Sequence, residues 1–142
     1  MMKERLRRSG GVARGTGVVF ILIALAKLLK PPMLCGPDPW LSINVALFPV
    51  EIGLGWAMLH PGRGRRIGAL LGASVAAGGA LILSIVHFSG GSVRGCGCFG
   101  PIELPYGLHM LVCSVLFAAC VFAIRTEHDR LRSEALVARV FD

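Results

Sequence analysis

Between Pro31 and Gly62 the chain has no lysine or arginine, and between Ile67 and Ile124 it has only Arg94. Charged residues fill 16% of the 142 positions and hydrophobic residues 54%, whereas a soluble domain carries about 25% charged residues. That shortage excludes an ordinary water-soluble domain. It leaves apolar stretches at residues 12–29, 41–59, 67–88 and 106–124, each near the roughly 20 residues that cross about 30 Å of hydrocarbon as a helix. Lipid offers no partner to an unpaired backbone group, so each stretch must be helical. Also missing are an internal repeat, a linker that would divide the chain, and a small-residue cleavage site after the first apolar run, where LLKPPMLC stands instead. Bulky residues before Cys35 argue against lipid attachment there. The expectation is one domain, residues 1–142, with the first span retained.

Basic residues cluster where the apolar runs stop. Lys3, Arg5, Arg7, Arg8 and Arg14 lead the chain, Arg63, Arg65 and Arg66 fill the second connection, and Arg125, Arg130, Arg132 and Arg139 follow the last span. By the positive-inside rule these segments face the cytoplasm. The fold class read from the sequence is therefore all-α: a polytopic membrane protein, a four-transmembrane-helix bundle with both termini cytoplasmic. Its tail, 125–142, either lies as an amphipathic helix on the inner leaflet through Leu131, Ala135, Leu136, Val140 and Phe141 or is solvated. A net charge of +7 confined to membrane flanks sets topology and meets anionic lipid, which excludes nucleic acid as a partner. Cys35, Cys96 and Cys98 fall on the outer side.

Few polar groups interrupt the spans. Lys27 stands about one turn from the outer end of span one, where its stem can snorkel to the interface or reach inward. Glu51 falls near the middle of span two, where an ionised carboxylate costs about 2.5–3.5 kcal/mol on insertion scales unless it is paired, protonated or wetted. Pro49 removes the hydrogen bond to the Val45 carbonyl and predicts a kink beside the acid. Asn44, Phe48, Glu51 and Gly55 share one face, and antiparallel packing brings Lys27 within reach of Glu51. In span three Gly68, Gly72, Ala76 and Ala80 form a small-residue ridge for close packing. In span four His109, Cys113 and Cys120 align; the two cysteines read as small hydrophobes and His109 as a polar group near the level of Lys27.

The outer connection SGGSVRGCGCFGPIELP holds the thiols that carry chemistry. Cys96 and Cys98, one glycine apart, would close a small strained disulfide, and strain makes a disulfide reactive. Cys35 offers a relay thiol or a structural partner for either one. Arg94, His87 or His109 can lower a thiol pKa. Three readings stay open: redox-active thiols, a structural staple, and a copper or zinc clamp with His87 and His109. A single intervening residue is not the C-x₂-C spacing of common zinc sites, so no metal ligands are assigned.

AKLLKP at the end of span one, FPVE in span two and CGCFG before span four together resemble the MauE family of methylamine-utilisation membrane proteins, within the wider DoxX-like group. The similarity covers about Thr16 to Ile124. It implies a four-helix bundle in the inner (cytoplasmic) membrane and a role in maturation of methylamine dehydrogenase, whose small subunit needs periplasmic disulfides. It assigns the redox, catalytic motif to Cys96 and Cys98, followed by Phe99 and Gly100, and the intramembrane polar positions to Lys27 and Glu51; Cys35 is outside the pattern. The function expected is thiol–disulfide exchange with an extracytoplasmic partner bearing cysteines, such as a methylamine dehydrogenase-like subunit or a thioredoxin-like protein. A quinone in the outer half of the bundle is the candidate electron carrier, and Lys27, Glu51 and His109 are the candidate proton handlers. The rivals are an accessory membrane subunit with a structural disulfide and a Cys/His metal-handling protein.

Overall fold

The computed structural model describes residues 2–29, 39–90 and 104–141, with side chains over 10–29, 46–90 and 104–133. Cys35, Cys96 and Cys98, with Arg94, lie outside the described residues. Four helices follow one another: α1 (Met2–Leu28), α2 (Pro39–Leu59), α3 (Arg63–Phe88) and α4 (Tyr106–Phe141). No strand occurs among the described residues. Three helical stretches, Gly10–Leu28, Arg63–Phe88 and Tyr106–Ser133, are long and apolar enough to cross a membrane, and α2 adds a shorter apolar run, Ala46–Leu59.

Local chemistry sets the helix ends. Proline opens α2 at a position where its missing N–H has no intrahelical acceptor to lose. The turn into α3 passes through Gly62 at φ 101°, a conformation that glycine adopts without a Cβ clash. After α3, Ser89 N donates to Ile85 O at 3.0 Å and Gly90 N to His87 O at 3.2 Å, and Gly90 takes φ 75° as the chain leaves the helix. Pro49 lies inside α2, whose helix continues unbroken around it.

Helices overrun the apolar spans that announce them. α1 begins ten residues before position 12, and α4 runs past Ile124 through Phe141 without a break. No glycine or proline occurs from Leu108 to Phe141, so nothing in the backbone stops the helix where its hydrophobicity stops. The segment 125–141 is thus helix continuous with α4 rather than a separate element.

Consecutive helices are antiparallel neighbours, and α4 closes the ring against α1. Gly17 of α1 meets Gly55 of α2, Gly68 of α3 meets Leu54 and Met58 of α2, and Gly72 of α3 meets Phe20 of α1 and Cys120 of α4. Around these contacts the core gathers Ala13, Phe20, Met58, Ala69, Ala73, Cys120 and Ala123. Outward-facing positions carry the larger side chains: Leu22, Trp56, Ile67, Leu71, Leu81, Ile85, Leu111 and Val115 are all more than half exposed. Small residues inside and large apolar ones outside is the distribution that lipid, rather than water, favours.

Candidate functional site

Among the described residues, Lys27 and Glu51 form a buried ion pair between α1 and α2. Lys27 Nζ donates to Glu51 Oε1 at 2.7 Å, with each side chain only 8% exposed. Helix geometry explains how residues at such different depths meet. The contact of Gly17 with Gly55 fixes the antiparallel register of α1 on α2, which puts Lys27 roughly six residues, or about 9 Å, further out than Glu51. Every Cα–Cβ bond leans toward its helix N-terminus. On α1 that direction carries Lys27 inward; on antiparallel α2 it carries Glu51 outward. The two side chains lean toward one another, and the lysine stem covers most of the interval. Snorkelling to the near interface would require the stem to run against its own Cα–Cβ bond, which is why Lys27 is turned into the bundle.

Glu51 Oε2, the other carboxylate oxygen, is buried and has no hydrogen-bond partner among the described residues. A buried acceptor left in this state costs about 1–3 kcal/mol. With no donor of its own, it is the oxygen of the carboxylate most open to a proton or a further donor. Gly55, one turn from Glu51, brings the same face of α2 against α1, and Pro49, two residues before the acid, leaves the Val45 carbonyl without its N–H donor.

His109 enters on the first turn of α4 and is 2% exposed. Its Nδ1 lies 3.0 Å from the Leu104 carbonyl. A carbonyl only accepts, so Nδ1 carries the proton, and the imidazole is oriented by the segment that leads into α4. His87 is exposed at the end of α3 and stacks flat on Tyr106, with ring centroids 4.0 Å apart and planes at 6°. Tyr106 OH in turn lies 3.2 Å from Ser84 Oγ. The last turn of α3 and the first of α4, which flank residues 91–103, are therefore tied together at the end of the bundle where α1 ends with Lys27. Cys113 is half-buried, and Cys120 is fully buried in the core against Gly72. Among the described residues no group of three His, Cys, Asp or Glu side chains gathers as a metal site.

A second buried polar cluster lies at the opposite end, and sequence reasoning did not single it out. Arg65 is 6% exposed and Glu127 4%. Arg65 Nε donates to Met58 O at 3.3 Å, Arg65 Nη1 lies 3.7 Å from Glu127 Oε2, and Arg130 Nη1 lies 3.6 Å from Glu127 Oε1. A signal was available: Arg65, Gly68, Gly72 and Ala76 fall on one helical face, as do Cys120, Ala123 and Glu127. Read as topology markers, Arg63, Arg65 and Arg66 look equivalent; read as continuations of the packed face, only Arg65 belongs to it.

No family model, curated protein or solved structure matches the chain.

Proposed function

We propose that this is a four-span inner-membrane protein of the MauE kind, both termini in the cytoplasm, that exchanges electrons between the cysteines of an extracytoplasmic protein and its own Cys96–Cys98 pair. The observation that carries the reading is the buried Lys27–Glu51 ion pair, because it joins the lysine and the Pro-x-Glu glutamate of the resemblance inside an apolar bundle. Such a pair is a poor way to stabilise a membrane protein, since desolvation offsets most of the attraction. Proton transfer gives it a purpose.

Thiol–disulfide exchange needs one. When a partner's dithiol becomes a disulfide it releases two electrons and two protons; the Cys96–Cys98 disulfide takes up both and becomes a dithiol. Returning that dithiol to the disulfide requires a two-electron acceptor within the membrane, and a quinone, as substrate, is the class that fits. Protonated at Oε2, Glu51 would present a buried hydroxyl donor to a quinone carbonyl; ionised, it would accept a proton leaving the thiols. His109, buried near the start of α4, is the second candidate proton carrier.

Cys98→Ser, made in cells that also carry the partner, tests this. The expected result is a partner that accumulates with reduced cysteines, seen by alkylation of its thiols. Unchanged partner disulfides, with Cys96 and Cys98 in one fixed oxidation state in the unaltered protein, would overturn the redox reading and leave the accessory-subunit reading.

A further inference from the structure

Around Glu51 the two ends of the bundle are not alike. Toward the end where α2 turns into α3, the interior is closed by apolar packing. Phe20 and Cys120 meet over Gly72, and Leu54 and Met58 lie over Gly68; the four side chains are at most 4% exposed. A Cβ on Gly72 would lie 3.1 Å from Cys120 Sγ and 3.2 Å from Phe20 Cε2, and one on Gly68 3.0 Å from Ala57 Cβ and 3.1 Å from Met58 Cγ. Where a methyl group does not fit, neither does a water. Thr16, a buried hydroxyl on this side, gives its proton to Val12 O of its own helix at 2.9 Å. Among the described residues nothing here bridges Glu51 to the Arg65–Glu127 end. Toward the other end the ion pair is itself a link, since Lys27 stands in the last turn of α1 and reaches inward to donate to Glu51 at 2.7 Å.

We propose that Glu51 is a one-sided proton-binding site, taking up and releasing its proton only toward the end of the bundle where α1 finishes. Its unpartnered, buried Oε2 is the atom that holds the proton. The titratable groups on the packed helices fit that direction. Lys27 on α1 is the charge that acts on Glu51, and α3 has no titratable residue from Ile67 to Val86. On α4, His109 and Cys113 stand toward the Lys27 end, with His109 Nδ1 held on Leu104 O, and Cys120 belongs to the closed packing. This inference rests on the membrane-spanning arrangement proposed above and gives its proton handling a direction: protons return to the face they came from, and none crosses the membrane.

The test uses the full-length protein in liposomes, with a protease-cleavable tag after Asp142 and dicyclohexylcarbodiimide as the probe. This apolar reagent dissolves in the bilayer, and a protonated carboxyl adds to it as a stable N-acylurea, whereas a carboxylate does not react. One face of the vesicles is held acidic and the other alkaline, then the two are reversed. External protease removes the tag only where the end of α4 faces outward, so the mass of each labelled chain reports its orientation, and peptide mapping assigns the label to Glu51. Labelling several times higher whenever the face opposite the α4 end is acidic, whatever the pH at the α4 end, is the expected result. Labelling governed by the α4 face, equal dependence on both faces, or no labelling of Glu51 under either gradient would overturn the proposal. Thiol state does not enter this readout, so its failure and that of the Cys98→Ser test are separate results.

Discussion

A charge inside an apolar bundle survives only with its partner, and two such partnerships occur among the described residues, Lys27 with Glu51 and Arg65 with Glu127. Removing one member strands the other, which costs about 3–5 kcal/mol in buried pairs. Lys27→Met should therefore lower stability in detergent melts by that amount, and Lys27→Met/Glu51→Leu should recover most of it, since no unpaired charge remains. The same double variant should stay folded yet fail to support disulfide formation in a partner, which separates a proton-handling role from a purely structural one. Arg65→Met should be as damaging as Lys27→Met, whereas Arg63→Gln and Arg66→Gln, both at exposed positions, should stay within about 0.5 kcal/mol of the parent. The first pair was legible in the sequence because antiparallel packing of spans one and two brings Lys27 within reach of Glu51, two charges that interrupt hydrophobic runs. Arg65 and Glu127 were not, because each sits among like or alternating charges whose obvious task is topology or solvation, and only the packed face of its helix distinguishes it.

The helices owe their close approach to missing side chains. Gly17 and Gly55 face one another so tightly that a Cβ on Gly17 would lie 2.7 Å from Gly55 O, and a Cβ on Gly55 2.6 Å from Gly17 O. Backbone cannot rotate away as a side chain can, so Gly17→Ala or Gly55→Ala must push α1 from α2; the expected loss is about 1–3 kcal/mol, read from the melting midpoint. That same displacement would lengthen the Lys27–Glu51 contact. Gly53→Ala meets nothing within 4 Å and should be neutral or stabilising by up to about 1 kcal/mol, as expected for alanine over glycine in a helix. Of this layer, the ridge Gly68, Gly72, Ala76 and Ala80 was visible as a repeat of four, and the first three are buried in the structure. Gly17, which faces Gly55 of α2, was not visible, because it is one of several glycines near the N-terminus and only the register of α1 on α2 selects it. Helix limits were read least well for a related reason: hydropathy marks where lipid could lie, while helix continues wherever neither glycine nor proline stops it.

For the molecule as a whole, the arrangement of small residues inside and large aliphatic ones outside agrees with the abundance of apolar residues in the chain. The all-helical character was legible from span length alone. The polar groups segregate by end: Lys27, His109 and the tied ends of α3 and α4 lie at one, and Arg65, Glu127 and Arg130 at the other, with Phe20, Ala69, Ala73 and Cys120 packed between them. Such an apolar layer separates the two polar ends, and the thiol chemistry proposed for Cys96 and Cys98, in the segment between α3 and α4, would then be confined to one face of the membrane. That confinement is measured most directly by treating intact cells with a membrane-impermeant thiol reagent, in a Cys35→Ser background, before and after mild reduction. Cys120 is fully buried and adds little signal. Labelling at Cys96 and Cys98 that appears from outside only after reduction is the expected result. Labelling that requires cell lysis, or that is the same before and after reduction, would contradict it.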